Sequence, residues 1–125
     1  MTAKFRPPGA VPEFTMLDIE LDDLTQVIAL TGEVDFYAAP DFKEHVLAAI
    51  AGGKRRLVVD LRNVRLMDSS GIGVLFATVK RLRTLDGQLA IVSDNAELDS
   101  LFEIVGLDGI FAIYRTRDEA LRGTD

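Results

Sequence analysis

Apolar residues in this chain follow two rhythms, and the rhythms alternate along its length. Residues 14–21 read as a strand: from Leu17 the pattern alternates, with Leu17, Ile19 and Leu21 on one face. Asp22-Asp23 turns the chain. Val27, Ile28, Ala29 and Leu30 form the next strand, ending near Gly32 and placed to pair with the first as an antiparallel hairpin. The rhythm then becomes helical over residues 38–51, with Phe42, Val46, Ala49 and Ile50 facing inward. Pro40 fits only the first turn of such a helix, and Gly52-Gly53 ends it. Residues 56–61, with the uninterrupted run Leu57-Val58-Val59, form a buried strand. A helix follows over residues 69–85, built on Ile72, Leu75, Phe76, Val79 and Leu82, and Asp86-Gly87 breaks it. Leu89 to Val92 is a further buried strand. Asn95 caps a helix carrying Leu98, Leu101, Phe102 and Val105, which Gly106 closes. A short strand at 110–114 and a short helix at 118–122 complete the pattern. Strands alternating with helices imply an α/β fold with parallel pairs in its sheet.

Between the strand at 56–61 and the helix that follows stands Asp68-Ser69-Ser70-Gly71-Ile72-Gly73. Two hydroxyls and a carboxylate therefore occupy a strand-to-helix junction. The first free N–H groups of a helix favour negative charge, so a phosphate is either carried or bound there. Ser69 at the helix start is exposed to an external kinase. Ser69 or Asp68 also fits a plain helix cap, and both readings stand together, since a cap lies at the surface.

The enzyme readings of this junction fare worse. A nucleophile elbow needs a glycine two residues before the serine, where Met67 stands, and the only histidine, His45, reads as a surface residue of the first helix. Gly71-x-Gly73 begins like a dinucleotide fingerprint, but Phe76 takes the third position and no Gly-Lys-Ser/Thr follows. Both glycines are instead expected to let the helix start pack closely on the sheet. Asp18, Glu20, Asp22 and Asp23 alternate between faces and read as a solvated acidic edge, not a metal site.

Composition narrows the field further. The chain has 125 residues, 48% of them hydrophobic, enough for a single domain with its own core. It holds no cysteine, which excludes disulfides, thiolate catalysis and cysteine-based zinc sites. No apolar run approaches the ~20 residues of a membrane helix, and no signal core opens the chain, so a cytoplasmic protein is expected. The net charge of -6 argues against a nucleic-acid surface. Lys54-Arg55-Arg56 reads as the solvated edge of the strand it precedes. Residues 1–13 carry three of the four prolines and read as a mobile extension, with one domain over 14–122 and a tail at 123–125.

Three segments resemble the STAS domain of bacterial anti-sigma-factor antagonists. They are Leu57-Val58-Val59-Asp60-Leu61 with Met67 to Leu75, then Leu30-Thr31-Gly32-Glu33-Val34-Asp35, and then Asn95-Ala96-Glu97-Leu98 with Leu101-Phe102 and Val105-Gly106-Leu107. The resemblance spans about residues 14–122 and implies a mixed sheet with parallel central strands and helices mostly on one side. It also implies partner switching. The unphosphorylated antagonist binds an anti-sigma factor that is a serine kinase, freeing a sigma factor; phosphorylation on Ser69 releases it, and a serine phosphatase resets it. The implied partner-binding residues are Asp35, Asp68, Ser69, Ser70 and Gly71, within the 32–37 segment and the start of the Ser69 helix. Asp35 also reads as a turn or cap residue before the first helix, and Ser70 as a residue bonding local backbone. No catalytic residue, cofactor, metal, nucleic acid or membrane enters this reading. The alternative is a non-switching STAS scaffold or transport-complex subunit, and a third is a small nucleotide-binding protein.

Overall fold

The computed structural model describes residues 14–104, 106 and 109–123. The expected extension at 1–13, Val105, Leu107 and the end of the tail lie outside these residues. The elements are β1 (Thr15–Glu20), β2 (Thr25–Val34), α1 (Ala39–Ala51), β3 (Arg56–Met67), α2 (Ser69–Arg83), β4 (Gln88–Val92), α3 (Ala96–Ile104), β5 (Ala112–Tyr114) and α4 (Arg117–Gly123). The sheet runs β1-β2-β3-β4-β5, with β1 antiparallel to β2 and every later pair parallel.

This order explains where the helices go. The connections through α1, α2 and α3 each step one strand in the same direction. Right-handed crossovers then put all three helices on the same face. Their apolar residues, among them Phe42, Val46, Leu75, Leu82 and Phe102, close over Leu57, Val59 and Ile91 in one core. Among the described helices only α4 covers the opposite face, where Ala120 meets Val58, Ala90 and Val92.

The edge strand shows the consequence. Phe14 and Met16 pack on the helical core, while Leu17 is 61% exposed. Leu17, Ile19 and Leu21 share the face turned away from α1, α2 and α3; among the described residues no helix lies over that side of β1, because α4 lies on β3, β4 and β5, and Ile19 alone of the three packs against the smaller core cluster. Alternation identifies two faces but not which of them is covered.

Lys54 corrects the expectation of a solvated basic edge. Its side chain is buried, and its Nζ donates to Glu20 Oε1 at 2.7 Å and to the Asp22 carbonyl at 2.6 Å. The acidic run is likewise engaged rather than simply solvated. Asp18 faces His45 Nε2 at 2.7 Å, and Asp22 approaches Arg56 at 3.8 Å. These contacts tie the β1–β2 turn to α1 and to the start of β3.

On the α4 face, Asp60 is 4% exposed and binds two guanidinium groups, Arg62 at 2.8 Å and Arg117 Nε at 2.7 Å. Burial pushes its carboxyl upward, but the hydrogen bonds from Arg62 and Arg117 outweigh it, so the group sits below the usual carboxylate value. A lowered folded pKa gives stability that is present above the unfolded value, about 3.9, and is lost as pH falls through the folded one. Asp60→Asn is expected to cost about 1–3 kcal/mol at neutral pH, the scale of charge-assisted hydrogen bonds. Urea unfolding at pH 7 and at pH 3.5 checks this: the difference between variant and parent should shrink at the lower pH.

Candidate functional site

Both β2 and β3 run further than their apolar cores suggested. β2 reaches Val34 and β3 reaches Met67, and these two residues pair. The register shifts between Ala29 and Thr31 and again between Gly32 and Glu33. Gly32 takes φ 103°, a left-handed conformation that glycine adopts without strain. Polar Arg62, Asn63 and Arg65 hide this extension in the sequence, because its buried residues, Val34, Val64 and Met67, never form a continuous apolar run. The paired ends deliver Asp35 and Asp68 side by side, each at the entrance to a helix.

Asp68 is the N-cap of α2. Its Oδ1 accepts from the N–H of Ser70 at 2.8 Å and of Gly71 at 3.3 Å. Its Oδ2 accepts from the Phe36 N–H at 3.0 Å, across the gap to the β2–α1 loop. The Asp68 N–H donates to the Val34 carbonyl at 3.2 Å. Asp35 plays the matching part on the other strand: its Oδ1 accepts from Tyr37 and Ala38 N–H, both at 3.0 Å. Its carbonyl accepts from Ala38 and Ala39. Asp35 is thus a turn residue ahead of α1, whose N-cap is Ala38 without a side-chain cap bond.

Asp68 takes the capping position and leaves Ser69 exposed at the first helical residue. The Ser69 hydroxyl makes no hydrogen bond among the described residues. Two expectations change here. The free N–H groups foreseen at this helix start are already bonded, with Ser70 and Gly71 donating to the Asp68 side chain and Ile72 to its carbonyl at 3.1 Å. An anion already fills the cradle, which removes the main support for a nucleotide site. Ser70 was expected to bond local backbone through its hydroxyl. It makes no such bond among the described residues and instead lines a groove between α1 and α2.

Gly71 and Gly73 separate cleanly. A Cβ on Gly71 would stand 2.8 Å from the Val34 carbonyl and from the Val34 and Met67 side chains, so the first turn of α2 can lie on the ribbon only with glycine there. A Cβ on Gly73 would meet nothing within 4 Å. The close packing expected of both glycines belongs to Gly71 alone. His45 is occupied by Asp18 and supplies no base to Ser69.

The sequence reading named the 32–37 segment without singling out its aromatics. Phe36 is 70% and Tyr37 67% exposed, with their rings edge to face at a centroid distance of 5.7 Å. Two adjacent aromatics between a turn-forming Asp and a helix-starting Pro were the available signal: neither residue falls on a strand or helix face that would bury it.

The STAS domain family profile matches residues 16–120. The chain belongs to the STAS domain family. This STAS domain is 34% identical over 86 residues to the anti-sigma-B factor antagonist of Staphylococcus aureus, across 69% of this chain and 80% of that protein. An anti-sigma factor antagonist from Mycobacterium paratuberculosis has a crystal structure similar to it, with a TM-score of 0.82 and 29% identity, covering 90% of this chain and 94% of that one. The Bacillus cell fate determinant SpoIIAA in its phosphorylated form shares the fold, with a TM-score of 0.71 and 21% identity over 89% of this chain and 100% of that chain. The mixed sheet, with parallel central strands and three of four helices on one face, is the architecture the resemblance implied. No helix among the described residues is long and apolar enough to cross a membrane.

The contrast between the two glycines sets a stability test. Gly71→Ala should cost about 1–3 kcal/mol through overpacking against the ribbon. Gly73→Ala should be neutral or stabilise by up to ~1 kcal/mol, since alanine favours a helix interior and finds room there. Thermal and urea unfolding of the two variants should differ in sign or by at least ~1 kcal/mol; equal losses would contradict the packing described.

Proposed function

We propose that this chain is an anti-sigma-factor antagonist that works by partner switching in the cytoplasm, as a regulatory protein rather than an enzyme. In this reading the unphosphorylated form binds an anti-sigma factor that is also a serine kinase, and a sigma factor is released. The kinase transfers the γ-phosphoryl group of ATP to Ser69 Oγ: the new O–P bond forms as the bond to ADP breaks, and the hydroxyl proton leaves. A serine phosphatase hydrolyses the ester and restores the binding form. The kinship with proteins named as antagonists supports the class. The observation that carries the residue assignment is the division of labour at α2: Asp68 holds the cap, and Ser69 is exposed with its hydroxyl unbonded among the described residues.

The geometry also supports a release mechanism. Phosphoserine carries about -1.5 to -2 charges at neutral pH. With Ser70 and Gly71 N–H already given to Asp68, the phosphate gains little from the helix N-terminus and stands beside a carboxylate. In a docked interface such a concentrated anionic patch is desolvated or faces like charges, which costs several kcal/mol. A loss of about 2–4 kcal/mol weakens binding by roughly 30- to 1000-fold. Asp35, Asp68, Ser69, Ser70 and Gly71 are the proposed contact set, joined by the exposed Phe36 and Tyr37.

Ser69→Ala should fold with stability within about 0.5 kcal/mol of the parent, as for a surface change away from a cap. It should remain bound to its anti-sigma kinase in the presence of ATP, with no phosphate added. Intact mass and peptide sequencing of ATP-treated mixtures check this. Phosphate on Ser70, with Ser69→Ala still released, would overturn the assignment. Ser69→Asp should weaken binding only in part, because it adds a single charge.

A further inference from the structure

The chain carries 20 acidic and 14 basic residues, yet one extended surface reverses that balance. Helices α1 and α2 leave parallel strands and run side by side, and the seam between them opens at both ends. Near Ser69 a hollow of about 350 Å³ is lined by Phe36, Pro40, Lys43, Ser70, Gly73 and their neighbours. At the far end a second hollow of about 350 Å³ is lined by Leu47, Ile50, Ala51, Arg55, Arg81 and Leu85. The two linings together hold three cations and no carboxylate. Lys43 and Arg81 are exposed and form no ion pair among the described residues. Arg55 is pinned at the floor, where its guanidinium donates to the Ile50 carbonyl at 3.1 Å and the Lys54 carbonyl at 2.7 Å.

We propose that the α1–α2 seam is a docking groove for an acidic amphipathic helix of a protein partner, extending the contact from Ser69 along the whole of α1. The apolar residues along the seam, Phe36, Val74, Leu47 and Leu85 among them, can meet the apolar face of a third helix. The cations along the seam select carboxylates on the flanks of that helix. Thirteen residues of α1 give a seam about 20 Å long, enough for three to four helical turns. The chain's own residues 1–13 carry Lys4 and Arg6 against Glu13, the wrong charge to fill it. The seam also gives Ser69 a reason for its position. Resting on the switching role proposed above, a phosphate at the mouth of the seam repels an acidic helix at the point where it enters.

The test needs neither kinase nor phosphate, so it stands apart from the Ser69 assignment. The full chain, labelled with ¹⁵N, is titrated with a synthetic amphipathic peptide of about 18 residues bearing leucine on one face and glutamate on its flanks. A matched peptide has lysine in place of each glutamate. The glutamate peptide should shift the amides of Ala39, Lys43, Leu47, Gly73, Ala77 and Arg81. Lys43→Glu with Arg81→Glu should weaken it roughly tenfold at low salt. Equal binding of the lysine peptide, shifts mapping elsewhere, or no shift at millimolar peptide would overturn the proposal. Seam shifts that appear on concentrating the protein alone would assign the groove to a second copy instead. Broadening of the same amides by phosphatidylglycerol vesicles, without a response to the peptide, would assign it to a membrane surface.

Discussion

Three backbone N–H groups converge on the carboxylate of Asp68, and the site is built around that convergence. Two come from the first turn of α2 and one from the loop that leads into α1. A single side chain therefore ends one helix cleanly and fixes the chain that starts another. A cap alone is worth about 1 kcal/mol. The added bond to Phe36 couples two segments 32 residues apart in sequence. Gly71 makes the arrangement possible by letting the turn approach the ribbon, and the Ser69 hydroxyl is left without a hydrogen bond among the described residues.

The sheet supplies the rest of the frame. Consecutive strands stepping in one direction place α1, α2 and α3 on a common face and bring the exits of β2 and β3 together. Their paired ends, Val34 and Met67, act as a rigid base for the two aspartates. The opposite face needs only α4, held by Ala120 over the sheet and by Arg117 on Asp60. Charge added at Ser69 thus falls on a frame whose local polar groups are already satisfied. Such a frame suits a signal read by surface electrostatics rather than by remodelling.

Much of this was legible in the sequence. Helix positions, the parallel strands and the Asp-Ser-Ser-Gly junction followed from periodicity and turn chemistry. Asn95 caps α3 as read, accepting from Glu97 N–H at 2.9 Å. The two extended strand ends were missed because their buried residues, Val34, Val64 and Met67, are spaced among polar ones and form no apolar run. Alternation groups Leu17 with Ile19 and Leu21 but is blind to which face receives a helix. Lys54 was taken for a solvated residue because its partners, Glu20 and the Asp22 carbonyl, are more than thirty positions away. Asp68 and Ser69 both fitted a cap, and only the hydrogen bonds separate them. For Leu17 and Lys54 the deciding contacts are tertiary, and local pattern does not encode them.

The account turns on Ser69 gaining charge while the frame stays as it is. Backbone amide chemical shifts of the unmodified chain and of the same chain carrying phosphoserine at position 69 measure this directly. Large shifts should be confined to the neighbourhood of Asp68, reaching Phe36 through the shared carboxylate, with β4, β5 and α3 unmoved. Shifts spread through the sheet and into α3 would mean that phosphorylation remodels the fold, and the account would be wrong.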